Sequence, residues 1–241
     1  MERATWFSYI KEIRRVDFAD LLALERECRE RLEHSDNELG CMICAEVLPV
    51  YTLGLRGWRN GLGPVEATGV KAIAVRRGGY ETYHGPGQWV FFWVERLDKI
   101  LNSGSRKSSD VLSIEVYSAR LMGALRRQLS KEYAKDFECG TGERLGIWAA
   151  DGVSKVASMG FSVSRGILTH GFSLNIYPHS EDWNAIHPCG LSNARAGFLE
   201  ESGEEVGDQE AHMRRALGIT LSAIKAEFSV SFQEAETHLL A

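Results

Sequence analysis

Cys189 lies between Pro188 and Gly190, and Lys155 lies in the run Asp151-Gly152-Val153-Ser154-Lys155-Val156-Ala157-Ser158-Met159-Gly160. A thiol attacks carbonyl carbon as the thiolate, so a free cysteine with pKa near about 8.5 needs a cation or a base beside it. A lysine facing a partly desolvated cleft can be that partner, because burial disfavours its ammonium and brings its pKa toward neutrality. Each residue also has a plainer reading. A lone cysteine is usually a small buried hydrophobe, and a strand lysine usually points to solvent. The proline that stiffens the approach and the glycine that uncrowds the sulfur, after His179 and His187, turn Cys189 toward an accessible thiol.

A second segment has ligand-binding character. Arg77-Gly78-Gly79-Tyr80-Glu81-Thr82-Tyr83-His84-Gly85-Pro86-Gly87-Gln88 holds four glycines and one proline among polar, aromatic and basic side chains. Glycine permits positive φ and lets a ligand approach the backbone. His84 and His170 each precede a glycine, in His84-Gly85 and His170-Gly171. Singly, each is more often a hydrogen-bonded structural histidine than a catalyst. Metal binding by His170, His179, His187 and Cys189 is disfavoured, because no paired ligand spacing is present. Cys41-Met42-Ile43-Cys44 has redox-pair spacing but lies in an apolar run, which points to buried thiols. Neither a phosphate-binding Gly-x-x-x-x-Gly-Lys-Ser/Thr loop nor a dinucleotide fingerprint is present, so no cofactor is expected.

These groups must be held by a fold, and the chain is long enough to build one. Its 241 residues are 44% hydrophobic and 25% charged, which argues against wholesale disorder. A formal net charge of −5 disfavours a nucleic-acid partner. Arg56, Arg59, Arg76 and Arg77 could still form a local patch for an acidic carrier. No apolar run approaches the roughly 20 residues of a membrane span. The beginning of the sequence lacks a signal-peptide layout. With five cysteines, an odd number, reduced thiols in the cytoplasm are expected.

Periodicity places a strand near Trp6–Ile13, a helix over 17–34, a buried strand over 39–52, a loop over 56–69 and a strand over 70–75. A central strand follows over 88–97, then a polar linker over 102–109 with Asp110 as helix N-cap. A helix runs to Tyr133, a hairpin turns at Asp151-Gly152, and a strand covers 167–177. Val153 and Lys155 would share one face of the hairpin strand, and Val156 the other. An acidic turn at 202–208 precedes a C-terminal helix. The expectation is one α+β domain over 1–241 with a mixed central sheet flanked by helices.

Several ordered motifs then carry a resemblance. They are Leu48-Pro49-Val50-Tyr51-Thr52-Leu53-Gly54, the Arg77–Gln88 stretch, Gly146-Ile147-Trp148, Lys155-Val156-Ala157-Ser158-Met159-Gly160, His170-Gly171-Phe172-Ser173-Leu174-Asn175 and Pro188-Cys189-Gly190. In these the chain resembles the lipoyl(octanoyl) transferases. The resemblance implies a biotin/lipoate protein ligase-like fold. It implies octanoyl transfer from acyl carrier protein to lipoyl domains of 2-oxoacid dehydrogenases and to the glycine cleavage H protein. Cys189 takes the place of the acyl-thioester cysteine and Lys155 that of its activating lysine. Arg77 to His84, Ser158-Met159-Gly160 and His170-Gly171-Phe172-Ser173 match segments that line the acyl pocket. An ATP-dependent lipoate or biotin ligase, and a silent acyl-carrier-binding regulator, are the alternatives. Four places depart from the family pattern: Arg76, Leu145, a longer hairpin turn before Lys155, and Leu191-Ser192-Asn193-Ala194-Arg195 after the cysteine.

Overall fold

The computed structural model of this chain describes residues 6–36, 38–57, 68–102, 113–200 and 209–234. In order come β1 (Trp6–Val16), α1 (Phe18–His34), β2 (Gly40–Val47), β3 (Val50–Leu53), β4 (Ala72–Ala74) and β5 (Glu81–His84). Then follow β6 (Gln88–Arg96), α2 (Leu97–Asn102), α3 (Ile114–Tyr133), β7 (Phe137–Gly140), β8 (Gly146–Ala149) and β9 (Ser154–Ser164). The last are β10 (Ile167–Asn175), β11 (Arg195–Ala196), α4 (Gln209–Phe228) and β12 (Val230–Glu234).

The architecture is α+β, a mixed sheet with helices on both faces. The large sheet runs β12-β1-β2-β6-β10-β9-β8-β7, with β11 added beside β9. β12, β1 and β2 are parallel, and from β2 through β7 each neighbour is antiparallel. A smaller sheet, β4-β3-β5, carries the glycine-rich segment.

Period-two alternation explains the layering. Met42, Cys44, Trp89, Phe91 and Trp93 face the core shared with α3 and α4. Cys41, Ile43, Ala45, Val90, Phe92 and Val94 face the core under α1. Both faces of β2 and β6 are therefore apolar, as a central strand covered on each side requires. Cys41 and Cys44 are buried thiols on opposite faces of β2.

Several boundaries differ from the sequence expectation. The run 39–52 is two strands in two sheets, β2 and β3, parted at Leu48-Pro49. Pro49 has no N–H for a ladder, and the residue before a proline is conformationally restricted. The strand expected at 70–75 shrinks to β4, and the strand expected to reach Tyr177 ends at Asn175. The stretch 77–88, read as loop, contains β5. Helix α3 starts at Ile114 and is capped by Ser113, whose side chain accepts from Val116 N–H, rather than by Asp110. Asp110, most of the polar linker, the acidic turn at 202–208 and most of the 56–69 loop lie outside the described residues. Among the described residues, no helix is long and apolar enough to cross a membrane.

Candidate active site

The glycine-rich segment is docked before it is shaped for a ligand. Gly54, Leu55 and Arg56 donate their N–H groups to the carbonyls of Tyr80, Arg77 and Gly79. Gly54 is required for this: a Cβ there would stand 2.8 Å from the Arg77 guanidinium and 2.5 Å from the Gly79 carbonyl. The Arg77 guanidinium donates to Thr52 O and Oγ1, Gly78 O and Tyr80 O, at 2.7–3.0 Å. Arg77 is thus committed to holding the loop, and its alkyl stem still borders the cleft.

Lys155 enters from β9. The hairpin turn before it is pinned by Asp151, which accepts from Val153 N–H, Ser154 N–H and Ser154 Oγ–H. Val153 lies in that turn, outside the strand, and Lys155 and Val156 are both buried. The expected alternation from Val153 therefore gives way to a strand covered on both faces. The register of β8 against β9 shifts between Ile147 and Trp148, which aims Lys155 beside the indole. Its Nζ stands 5.4 Å from the Trp148 ring centre. Gly146, at φ 145°, is needed on the neighbouring strand, since a Cβ there would stand 2.6 Å from Lys155 Cε. Lys155 is 5% exposed rather than solvated.

Cys189 arrives from the other side. Pro188–Gly190 form a single 3₁₀ turn in which Cys189 has φ 62° and Gly190 φ 69°. A left-handed conformation costs a non-glycine residue roughly 1–2 kcal/mol, so the strain is held by the surrounding turn. It lifts the sulfur to 3.0 Å from Lys155 Nζ. Burial pushes the Lys155 amine below its usual range; the Cys189 sulfur opposes that shift, while Arg77 and Arg144 add to it. An amine so placed can exchange a proton with the sulfur. The N–H groups of Gly190 and Leu191 donate to His187 O and Pro188 O, closing the turn.

Two of these segments answer each other. Arg195, in the stretch after Cys189, pairs with Asp151 of the hairpin turn before Lys155 at 2.9 Å and donates to Ser154 Oγ at 2.9 Å. The same residue begins β11, which adds to β9 alongside Lys155. The ion pair and the strand pairing together tie the cysteine segment to the lysine strand.

The dyad opens into a cleft of about 350 Å³ bordered by Arg77, Gly78, Gly79, Tyr80, Glu81, Thr82 and Tyr83 and by Ser158, Met159 and Gly160. A recess of about 40 Å³ shares the wall of Arg77, Thr82 and Ser158–Gly160 and ends among His84, His170, Gly171, Phe172 and Ser173. Cys189, Lys155, Arg77 to His84, Ser158 to Gly160 and His170 to Ser173 all border one or the other, whereas His179 and His187 border neither. Phe18, Val90 and Phe92 add apolar surface to the recess.

Sequence reasoning missed the polar network beneath the site. Gln88 Nε2 donates to Tyr83 O and to Asn175 Oδ1, so its Oε1 faces His84 Nδ1 at 2.6 Å. His84 must then carry its proton on Nδ1, leaving Nε2 to accept from Thr52 Oγ1 at 3.2 Å. Asn175 Nδ2 donates to the Lys155 and Gly197 carbonyls. A continuous chain therefore links Arg77, Thr52, His84, Gln88 and Asn175 to the Lys155 backbone. Burial pushes the His84 pKa down to about 3. His84 is a neutral strut, since both ring nitrogens are engaged. His170, at φ 58°, is held by Glu25 of α1, which takes its backbone N–H and stands 3.3 Å from Nδ1. Nothing local in the sequence marks Glu25.

The His84 assignment has a measurable consequence. The unfolded chain takes a proton near about pH 6.5, whereas the folded ring resists until about 3. This group therefore removes stability as pH falls through 6.5 toward 3. His84→Ala is expected to cost about 2–3 kcal/mol at pH 8 by stranding buried partners and to flatten that acid limb. Urea titrations across pH check both effects, and a pH–rate profile displaced by the variant would contradict the strut assignment.

Comparison with known proteins follows the same lines. A family model described as the lipoyl protein ligase A/B catalytic domain matches residues 17–217. An octanoyltransferase of Desulfotalea psychrophila is 29% identical over 228 residues, covering 92% of this chain and 96% of its own. One from Acidobacterium capsulatum is 35% identical over 197 residues, covering 77% and 76%. The human protein named octanoyl-[acyl-carrier-protein]:protein N-octanoyltransferase LIPT2, mitochondrial, is 29% identical, covering 91% and 89%. Among solved structures, lipoate-protein ligase A bound with ATP superposes with a TM-score of 0.68 at 13% identity, covering 96% of this chain and 89% of that one. A bipartite lipoate protein ligase from Thermoplasma acidophilum gives 0.66 at 12% identity, covering 98% and 87%. The last two likenesses speak for the fold.

Proposed function

The chain belongs to the lipoyl protein ligase A/B catalytic-domain family, among its octanoyltransferases, and from that premise we propose that an octanoyl group passes through a thioester on Cys189. The donor is an octanoyl-acyl carrier protein, and the acceptor is a lysine amine of a lipoyl domain, in 2-oxoacid dehydrogenases or the glycine cleavage H protein. The single observation that carries this reading is the 3.0 Å approach of Lys155 Nζ to Cys189 Sγ.

In the first step Lys155 takes the thiol proton and the sulfur attacks the carrier thioester carbon. A C–S bond to Cys189 forms, the carrier's C–S bond breaks, and the departing carrier thiolate takes the proton back from Lys155. One thioester replaces another, so ATP is not required. The Lys155 ammonium is the cation beside the developing oxyanion, because the neighbouring turn N–H groups of Gly190 and Leu191 are spent on carbonyls. In the second step a deprotonated acceptor amine attacks the Cys189 thioester. A C–N bond forms, the C–S bond breaks, the amide nitrogen sheds a proton and the sulfur regains one. The amide is the more stable product, so the second step runs downhill. Free thiols at all five cysteines suit a reducing, cytoplasmic setting.

The apolar chain lies along the larger cleft of about 350 Å³, which opens directly at Cys189 and Lys155. Each added methylene is expected to lower KM for the donor, by about 0.8 kcal/mol or roughly fourfold per buried group, until the tail meets the recess. A series of acyl-carriers of increasing length, assayed for acylation of Cys189, measures this. A KM flat across the series would remove the acyl chain from the cleft.

The ATP-dependent ligase is the alternative, favoured by the shared fold with lipoate-protein ligase A bound with ATP. Octanoyl-carrier and a lipoyl domain incubated without nucleotide separate the two: the transferase octanoylates the domain. A requirement for ATP and free octanoate would establish the ligase instead.

A further inference from the structure

Three carboxylates border the cleft that holds Cys189 and Lys155: Glu81, Glu115 and Glu143. Two are committed elsewhere. Glu143 pairs with Arg56 at 3.5 Å, and Glu115 is turned to Ser113 and the N–H groups at the start of α3. The Glu81 carboxylate takes part in no hydrogen bond or ion pair within 4.0 Å among the described residues. It follows Tyr80, whose ring lies against the Cys189–Gly190 turn, and begins β5 opposite Leu53. Its carboxylate is turned toward Gly57: a Cβ on Gly57 would stand 3.0 Å from Glu81 Oε1. Arg77, the cation that feels its field, is already spent on four backbone and hydroxyl acceptors.

The chemistry of the second step needs an anion in this cleft. After acylation the sulfur is a neutral thioester that offsets no positive charge, and the Arg77 and Arg144 guanidinium groups remain beside Lys155. An acceptor lysine is a cation at neutral pH, and it must enter this electropositive space before losing its proton. Like charges in a partly desolvated cleft oppose that entry strongly.

Resting on the transferase reading above, we propose that Glu81 is the binding group for the acceptor's ammonium, receiving it beside the acyl-enzyme. Glu81 therefore acts in the second half-reaction, in acceptor capture. The class of ligand is a primary alkylammonium, presented here on a protein lysine.

The test uses wild-type and E81Q full-length protein in two half-reactions. Octanoyl-carrier alone is added first and acylation followed by intact mass; an excess of lipoyl domain, or of hydroxylamine, which is uncharged at neutral pH, then discharges the acyl-enzyme. E81Q is expected to raise the KM for the lipoyl domain about tenfold and to change discharge of the same amount of acyl-enzyme by hydroxylamine far less. E81D recovers part of the loss, and the salt dependence of acceptor KM seen in wild type flattens in E81Q. Equal slowing with both nucleophiles, or no change with either, overturns the assignment. A wild-type protein that forms no acyl-enzyme removes the transferase reading and this assignment together, so the two failures are told apart.

Discussion

Cys189→Ala is expected to abolish transfer, with kcat/KM falling by at least about 10⁴, a loss of the size seen when a covalent nucleophile is removed. Serine in its place should rescue little. A hydroxyl is a far weaker acid than a thiol, and a Lys155 amine matched to sulfur cannot ionise it. The fold should survive both changes, because Cys189 lies in a short surface turn and is only half-buried. Octanoylation of a lipoyl domain by either variant, measured against wild type at matched protein concentration, checks the expectation. Initial-rate plots for the wild type should be parallel when carrier and acceptor are varied together. Transfer by the alanine variant at more than a small fraction of the wild-type rate would mean that the acyl group passes directly from carrier to amine.

Lys155→Met carries the second large effect, a fall of about 10²–10⁴ in the acylation step, the usual contribution of a positioned acid–base group. The pair in the free enzyme can hold two protons, one or none. With two, the sulfur is an unreactive thiol and Lys155 is charged. The rate therefore rises with pH as the first proton leaves. Desolvation of Lys155, the leading influence on it, brings that departure below the ordinary lysine range. In the methionine variant the sulfur must ionise unaided, so the rise in rate that comes from the Lys155 proton should be lost from the pH profile. Lys155→Arg separates base from charge. Guanidinium keeps the positive charge but cannot release its proton at these pH values. It should restore no more than the share that a cation beside the oxyanion supplies and stay well below wild type. An arginine variant with substantial activity would show that charge alone serves the sulfur.

How much of this was written in the linear chain depends on the kind of signal. The central strand β6 and the long helices α1 and α3 follow from hydrophobic periodicity, because their partners simply cover an apolar face. Cys189 and Lys155 stood out through their neighbours, a proline and glycines whose backbone roles are local. Their 3.0 Å meeting is a product of the turn strain at Cys189 and the register shift near Trp148, neither of which has a local signature. The split of 39–52 into two sheets was marked by Pro49, and the apolar run on both sides concealed it. The short edge elements β7 and β12 lack a strong alternation and exist because the neighbouring strands β8 and β1 offer open edges. Gln88 and Asn175 looked like ordinary polar positions. Their importance comes from being buried together, where each amide must satisfy several partners at once. The Arg195–Asp151 pair shows the same limit: two residues far apart in the chain become one interaction only after folding.

The central claim is that the sulfur of Cys189 carries the octanoyl group. Intact-protein mass spectrometry of the wild type, incubated with octanoyl-acyl carrier protein in the absence of both nucleotide and acceptor, tests it most directly. The account predicts a single octanoyl adduct, mapped by peptide analysis to Cys189 and released by added lipoyl domain. Unmodified protein, or an adduct on another residue that the acceptor cannot discharge, would contradict it.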